Sequence, residues 1–220
     1  MNDQPRVILA LAAESRDEFV WDRIRALASK IFAVPVSVKF AYFGREGPLQ
    51  TRRPCITTNW ITAAADWADI VDRGRANCVC GCYIQIGDIL EQALRETRQA
   101  SVQAVVIVGN FYGDVDAAVA TAKQLCAAGT RLFLFQQGRS GQTEDAFRVL
   151  AEVTGGAYHR FNPHIEQVAQ RLPEMLEAVT HYAIGGMTAL EARGNESADL
   201  LLEQMHAADH TLASGRSTRR

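Results

Sequence analysis

Short apolar, β-branched runs alternate along this chain with longer segments whose apolar residues recur every three or four positions. That alternation restricts the fold more than any other feature. PRVILAL (5–11) and VQAVVIVGN (102–110) are nearly continuous in apolar character, which predicts strands buried on both faces. VSVKFAYFG (36–44) alternates as a strand does, and RLFLFQQG (131–138) and AYHRF (157–161) are two further short strands. Between them the period lengthens. Phe19, Ile24, Leu27, Ala28 and Ile31 keep helical spacing over 15–31, where Ser15 with Asp17 and Glu18 reads as an N-cap and acidic first turn. Ile89, Leu90, Ala93 and Leu94 keep it over 87–97. VDAAVATAKQLCAAG (115–129) is a helix stopped by Gly129, TEDAFRVLAEVTGG (143–156) ends in a glycine pair, and 164–182 is amphipathic. GREGPLQTRRPCITTNW (44–60) carries turn residues, which predicts a hairpin or irregular excursion before a helix over 60–72 capped by Thr58 or Asn59. Strands and helices in alternation, joined by short loops, predict an α/β fold: a doubly wound, mostly parallel central sheet with helices on both faces.

A chain of 220 residues suits one domain with a full core, or one domain plus a tail. The organisation expected is a domain over 1–186, a C-terminal helix over 187–205 and a flexible basic tail over 206–220, where HTLASGRSTRR is small, polar and basic. With 23 basic and 25 acidic side chains the net charge is −2, which gives no bulk electrostatic reason to expect nucleic acid or an anionic membrane as partner. The apolar runs are too short to cross a bilayer, and MNDQPR leads straight into a strand without a basic-then-apolar signal pattern. The expected location is therefore cytoplasmic.

Five cysteines, an odd number with Cys78, Cys80 and Cys82 crowded into NCVCGCYIQIG (77–87), do not look like a secreted disulfide framework. An extended C-x-C-x-C segment points its three thiols to one face, so a zinc centre would need a fourth ligand from elsewhere, such as Cys55 or a histidine. No second ligand pair of recognisable spacing exists, and packing as small apolar residues around Gly81 is the preferred reading. Redox chemistry is less well supported still, because no C-x-x-C pair is present. Cys126 falls on the apolar stripe of its helix and is expected in the core.

In a doubly wound sheet, ligands collect at the carboxyl ends of the strands where strand order reverses. The loops LAAES, CVCGCYIQIG, GNFYGD and QQGRSG all fall there. The same segments carry a resemblance. The phrase QIGDILEQALRETR, the strand VQAVVIVGN followed by DVDAAVATAKQL, and RLFLFQQGRSGQTEDAFRVLAEVTGGAYHRF together resemble a bacterial von Willebrand factor type A domain over roughly residues 5–184.

That resemblance implies a metal-ion-dependent adhesion site: D-x-S-x-S after the first strand, a Thr in a later loop and an Asp after a central strand. Together they hold Mg²⁺ with one position open to a partner's carboxylate. Here the first motif falls on Leu11, Ala13 and Ser15, the Thr position on or near Ile84, and the Asp on Asn110. Ser15 alone keeps its place, both carboxylates are missing, and the site reads as degenerate. Glu14, Asp114 and Asp116 lie nearby, but acids after a strand more often cap the next helix.

Nothing else in the chain assembles a reaction. His159 and His164 flank YHRFNPH without a nucleophile partner, no G-x-S-x-G elbow is present, and the glycines of GNFYGD and QQGRSGQ match no phosphate loop or dinucleotide fingerprint. Phe111 and Tyr112 follow Asn110 at the top of the sheet, and aromatic side chains there are typical of protein interfaces. The expectation is a non-enzymatic protein-interaction module without a cofactor. Its partner would be another protein, contacting Glu14, Ser15, Ile84, Gln85, Asn110, Phe111, Tyr112 and Asp114. The alternatives are a thiol-ligated zinc protein using Cys78, Cys80 and Cys82, and a magnesium-dependent module with a rebuilt site.

Overall fold

The computed structural model describes residues 4–11, 18–43, 55–77, 84–161 and 166–217. In chain order they form β1 (Arg6–Leu11), α1 (Glu18–Ala26), α2 (Ala28–Ile31), β2 (Ser37–Phe43), β3 (Cys55–Ile61), α3 (Ala64–Asn77), β4 (Ile84–Gln85) and α4 (Ile86–Gln99). There follow β5 (Ala104–Gly109), β6 (Phe111–Tyr112), α5 (Val115–Ala127), β7 (Arg131–Gln137), α6 (Gly141–Thr154), β8 (Ala157–Phe161), α7 (Glu166–Glu191) and α8 (Glu196–Ser217).

Six strands make the main sheet in the order β3-β2-β1-β5-β7-β8, every pair parallel except β2 with β3. The doubly wound, mostly parallel sheet read from the sequence is the fold observed. The period-2 alternation of a strand sorts its side chains between two cores. Val7, Leu9 and Leu11 of β1, with Val106, Val108, Phe133 and Phe135, face the layer of α1, α2, α3, α7 and α8. Ile8 and Ala10, with Val105, Ile107, Leu132 and Leu134, face α4, α5 and α6. Trp21, Phe40 and Trp67 meet edge-to-face in the first core, with Phe40 6.3 Å from Trp21 and 5.7 Å from Trp67. Gly74 of α3 lets the helix approach this cluster, because a Cβ there would come within 2.9 Å of the Phe40 ring.

Several elements differ from the sequence reading. The helix expected over 15–31 is divided at Leu27. Thr58 and Asn59 cap nothing: they belong to β3, the antiparallel edge strand, and the next helix begins at Ala64. A bulge interrupts the β2–β3 ladder beside Phe40, whose N–H donates instead to Thr58 Oγ1 at 3.0 Å. Such irregularities hinder further pairing at a sheet edge.

The C-terminal third differs most. Gly185 and Gly186 leave helical geometry, the latter at φ 66 and ψ −151, so the span of α7 is two helices meeting at a kink, the second ending at Glu191. A further break comes at Gly194, φ 55, so the helix expected over 187–205 is split. Then α8 continues to Ser217, through most of the stretch read as a flexible tail. It is held from two sides. Ala198, Leu201, Leu202 and Met205 enter the first core, and Asp209 takes both guanidinium nitrogens of Arg131, at 3.0 and 3.1 Å. Residues 218–220 lie outside those described.

Candidate functional site

Strand order reverses between β1 and β5, because β1 connects outward to β2 on one side while β5 leads to β7 on the other. The carboxyl ends of these two strands frame the crevice where such sheets bind ligands. On the β1 side the chain ends in Leu11, which is wholly buried in the first core. On the β5 side Gly109 adopts φ 143, and Asn110 follows it. Asn110 Oδ1 is shielded from solvent and has no hydrogen-bond partner among the described residues. Gly138, φ 89, passes close by: a Cβ there would stand 3.9 Å from Asn110 Nδ2.

Beyond Asn110 lies a feature the sequence did not disclose. β6 pairs in parallel with β4, setting Phe111 against Ile84 and Tyr112 against Gln85 in a second, two-stranded sheet. Four residues singled out from the sequence are thereby joined through their backbones, with Asn110 immediately before them. Gln85 is exposed. Asp114 follows as the N-cap of α5, its Oδ1 accepting the N–H groups of Asp116 at 2.9 Å and Ala117 at 3.1 Å. Of the remaining predicted residues, Glu14, Ser15, Cys78, Cys80 and Cys82 lie outside those described.

The rim is completed by the β7–α6 turn. Ser140 caps α6 through Oγ, which accepts the Thr143 N–H at 3.3 Å. Beneath it the fully buried Gln136 donates to the Ser140 carbonyl at 2.8 Å and accepts the Tyr158 hydroxyl at 2.6 Å. This buried link anchors the turn, and the only hint of it in the sequence is a glutamine pair closing an apolar strand. Between the β6–α5 turn and α6 runs an open groove of about 690 Å³, lined by Gly113, Asp114, Val115, Gln142, Asp145, Ala146 and Val149.

The remaining candidates for chemistry are dispersed. Cys55, considered as a fourth thiolate, is pushed up to about 12 by burial and by the Asp88 carboxylate, so it stays a protonated thiol. Cys126 is half-buried instead of lying in the core. It borders a cavity of about 420 Å³ with Arg131, Tyr182 and Asp209, at the opposite end of the sheet from the crevice. His159 rests against the Phe161 ring at 4.8 Å, and burial together with Arg171 holds its pKa below the usual imidazole value. Among the described residues no three of His, Cys, Asp and Glu converge in a way that could hold a metal ion.

A six-stranded sheet in this order, with one antiparallel edge and a crevice between its two central strands, is the fold of von Willebrand factor type A domains. Solved structures carry the same likeness. The pilus adhesin SpaC from Lactobacillus rhamnosus GG superposes at TM-score 0.64 with 10% identity, over 82% of this chain and 31% of the adhesin. The von Willebrand factor type A protein from Catenulispora acidiphila superposes at 0.54 with 15% identity, over 81% of this chain and 43% of its own. The conserved hypothetical protein BatB from Bacteroides thetaiotaomicron does so at 0.53 with 14% identity, over 77% of this chain and 95% of its own. This chain thus spans about a third of the adhesin's length and nearly all of BatB's. At these identities the likeness defines the fold. No protein-family model matches the sequence, and no curated protein does.

Proposed function

We propose that this chain is a non-enzymatic protein-interaction module of adaptor or scaffold type, acting in the cytosol without a metal ion. Its partner, another protein, seats on the face where β1, β5, β4 and β6 end. The observation that carries this reading is the pair Leu11 and Asn110. The resemblance assigns both positions to carboxylates of a Mg²⁺ site. Leu11 has no donor atom and is wholly buried among apolar side chains, and Asn110 offers a neutral carboxamide. Hard divalent cations are held mainly by anionic oxygens at short range, and of these two positions Leu11 supplies no oxygen and Asn110 only a neutral one.

What remains is suited to recognition without metal. Among the described residues Asn110 Oδ1 has no donor, and burying an acceptor unpaired is costly unless something comes to satisfy it. The β4–β6 pair places Phe111 and Tyr112 on a fixed backbone beside it. Charge is nearly balanced, and among the described residues no helix is long and apolar enough to cross a membrane.

The test is affinity capture with the immobilised protein, followed by the same capture with Phe111→Ala and Tyr112→Ala combined. The reading expects loss of the specifically retained protein with little change in melting temperature. Equal loss of capture and stability would make the rings core residues and overturn the interface.

A further inference from the structure

The groove between the β6–α5 turn and α6 has a floor and a rim of different character. Val115, Ala146 and Val149 line it with aliphatic carbon, and Val149, 41% exposed, is one of two exposed large aliphatic side chains among the described residues. Asp114 and Asp145 stand at its margins, and among the described residues no cationic side chain lines it. Asp114 is the N-cap of α5, and Asp145 lies one position after Glu144 near the start of α6. Neither takes part in an ion pair with a described residue. The contrast is one position away: Glu144 is paired twice, with Arg148 at 2.8 Å and Arg160 at 3.0 Å.

We propose that this groove takes a partner segment in which a Lys or Arg lies beside a large aliphatic or aromatic residue. The apolar side chain covers Val149 and Ala146 while the cation meets Asp145 and the free oxygen of Asp114. The volume lies inside the roughly 300–1,000 Å³ typical of ligand clefts. The inference rests on the proposed interaction role and gives that partner a chemistry: it brings a cation, where a metal-bearing site of this fold would take a carboxylate. Charge complementarity decides this, since an acidic segment would meet two fixed negative charges with no counter-ion in the groove.

The experiment uses the full chain and a random peptide library displayed on phage. Selection should enrich Lys or Arg next to Leu, Ile, Met or an aromatic residue. Synthetic copies of the enriched peptides should lose about tenfold or more in affinity to Val149→Ser and to Asp145→Asn. Asp145→Lys should shift the enriched set toward acidic peptides. Both side chains are exposed, so these variants should melt with the parent. Enrichment of acidic peptides by the parent, binding indifferent to all three variants, or a library that yields no binder would each overturn the proposal. If protein capture then still depends on Phe111 and Tyr112, the interaction role stands and only the groove falls.

Discussion

Leu11 and Asn110 illustrate how far single residues settle what a shared fold does. Burying an isobutyl side chain stabilises a core by about 1.5–3 kcal/mol, and Leu11 does this where the resemblance expects a metal-binding carboxylate. Asn110 has the shape of the aspartate that the resemblance expects there, without its charge. Asn110→Asp is therefore expected to destabilise the protein by roughly 1–3 kcal/mol in chemical denaturation, because it places a carboxylate where the amide oxygen already lacks a partner. Added Mg²⁺ should not restore the loss, since Leu11 still fills the first position. A variant that Mg²⁺ stabilises above the parent would show the crevice to be a metal site one atom short. Both residues were legible in the sequence because strand register fixes which residue ends each strand. The unpaired state of Asn110 Oδ1 was not, because it depends on how β7 and its glycine turn pass beside it.

Elements were read well where their apolar period was long, and poorly where tertiary contacts decide. The runs of β5 and β7 stand as predicted within two residues at each end. β4 and β6 are two residues each, too short for any periodicity, and exist only because the segments after α3 and β5 meet. α8 was misjudged for a different reason. Its polar, basic composition suggested a tail, whereas its alanines favour helix and Asp209 finds Arg131 far away in the chain.

The joint between α7 and α8 is also held by side chains no period reveals. Arg193 donates to His181 Nε2 at 2.7 Å and to Glu177 Oε1 at 2.8 Å, and Lys30 lies 3.4 Å from Glu177 Oε2. Burial, then the Arg193 charge, hold the His181 pKa below 6.5 against the opposing pull of Glu177. The unfolded chain thus binds this proton more readily than the folded one. The joint's contribution is present above about pH 6.5 and is lost as pH falls below it, with His159 acting in the same sense. Melting temperature should accordingly decline between about pH 6.5 and 5, and His181→Gln should reduce that slope. A flat profile in the parent across that interval would show that neither histidine is held neutral by the fold.

The whole molecule combines a widely shared scaffold with a crevice proposed to work without the metal that the resemblance implies. Two cores clamp one sheet, and the reversal of strand order leaves one place for function, a place legible from the alternation of elements before any coordinates. Among the described residues the groove beside the crevice is lined by the acids Asp114 and Asp145, and the proposed partner brings a cation to them. The account's central claim is that this crevice works without metal. The most direct test is a thermal melt of the protein titrated with Mg²⁺, alongside elemental analysis of protein purified without chelator. A site filled at a hundred times its dissociation constant would add roughly 2.7 kcal/mol of stability, which a melt resolves. The account predicts no shift and no stoichiometric metal. A saturable rise in melting temperature with Mg²⁺, or zinc bound in proportion to protein, would contradict it.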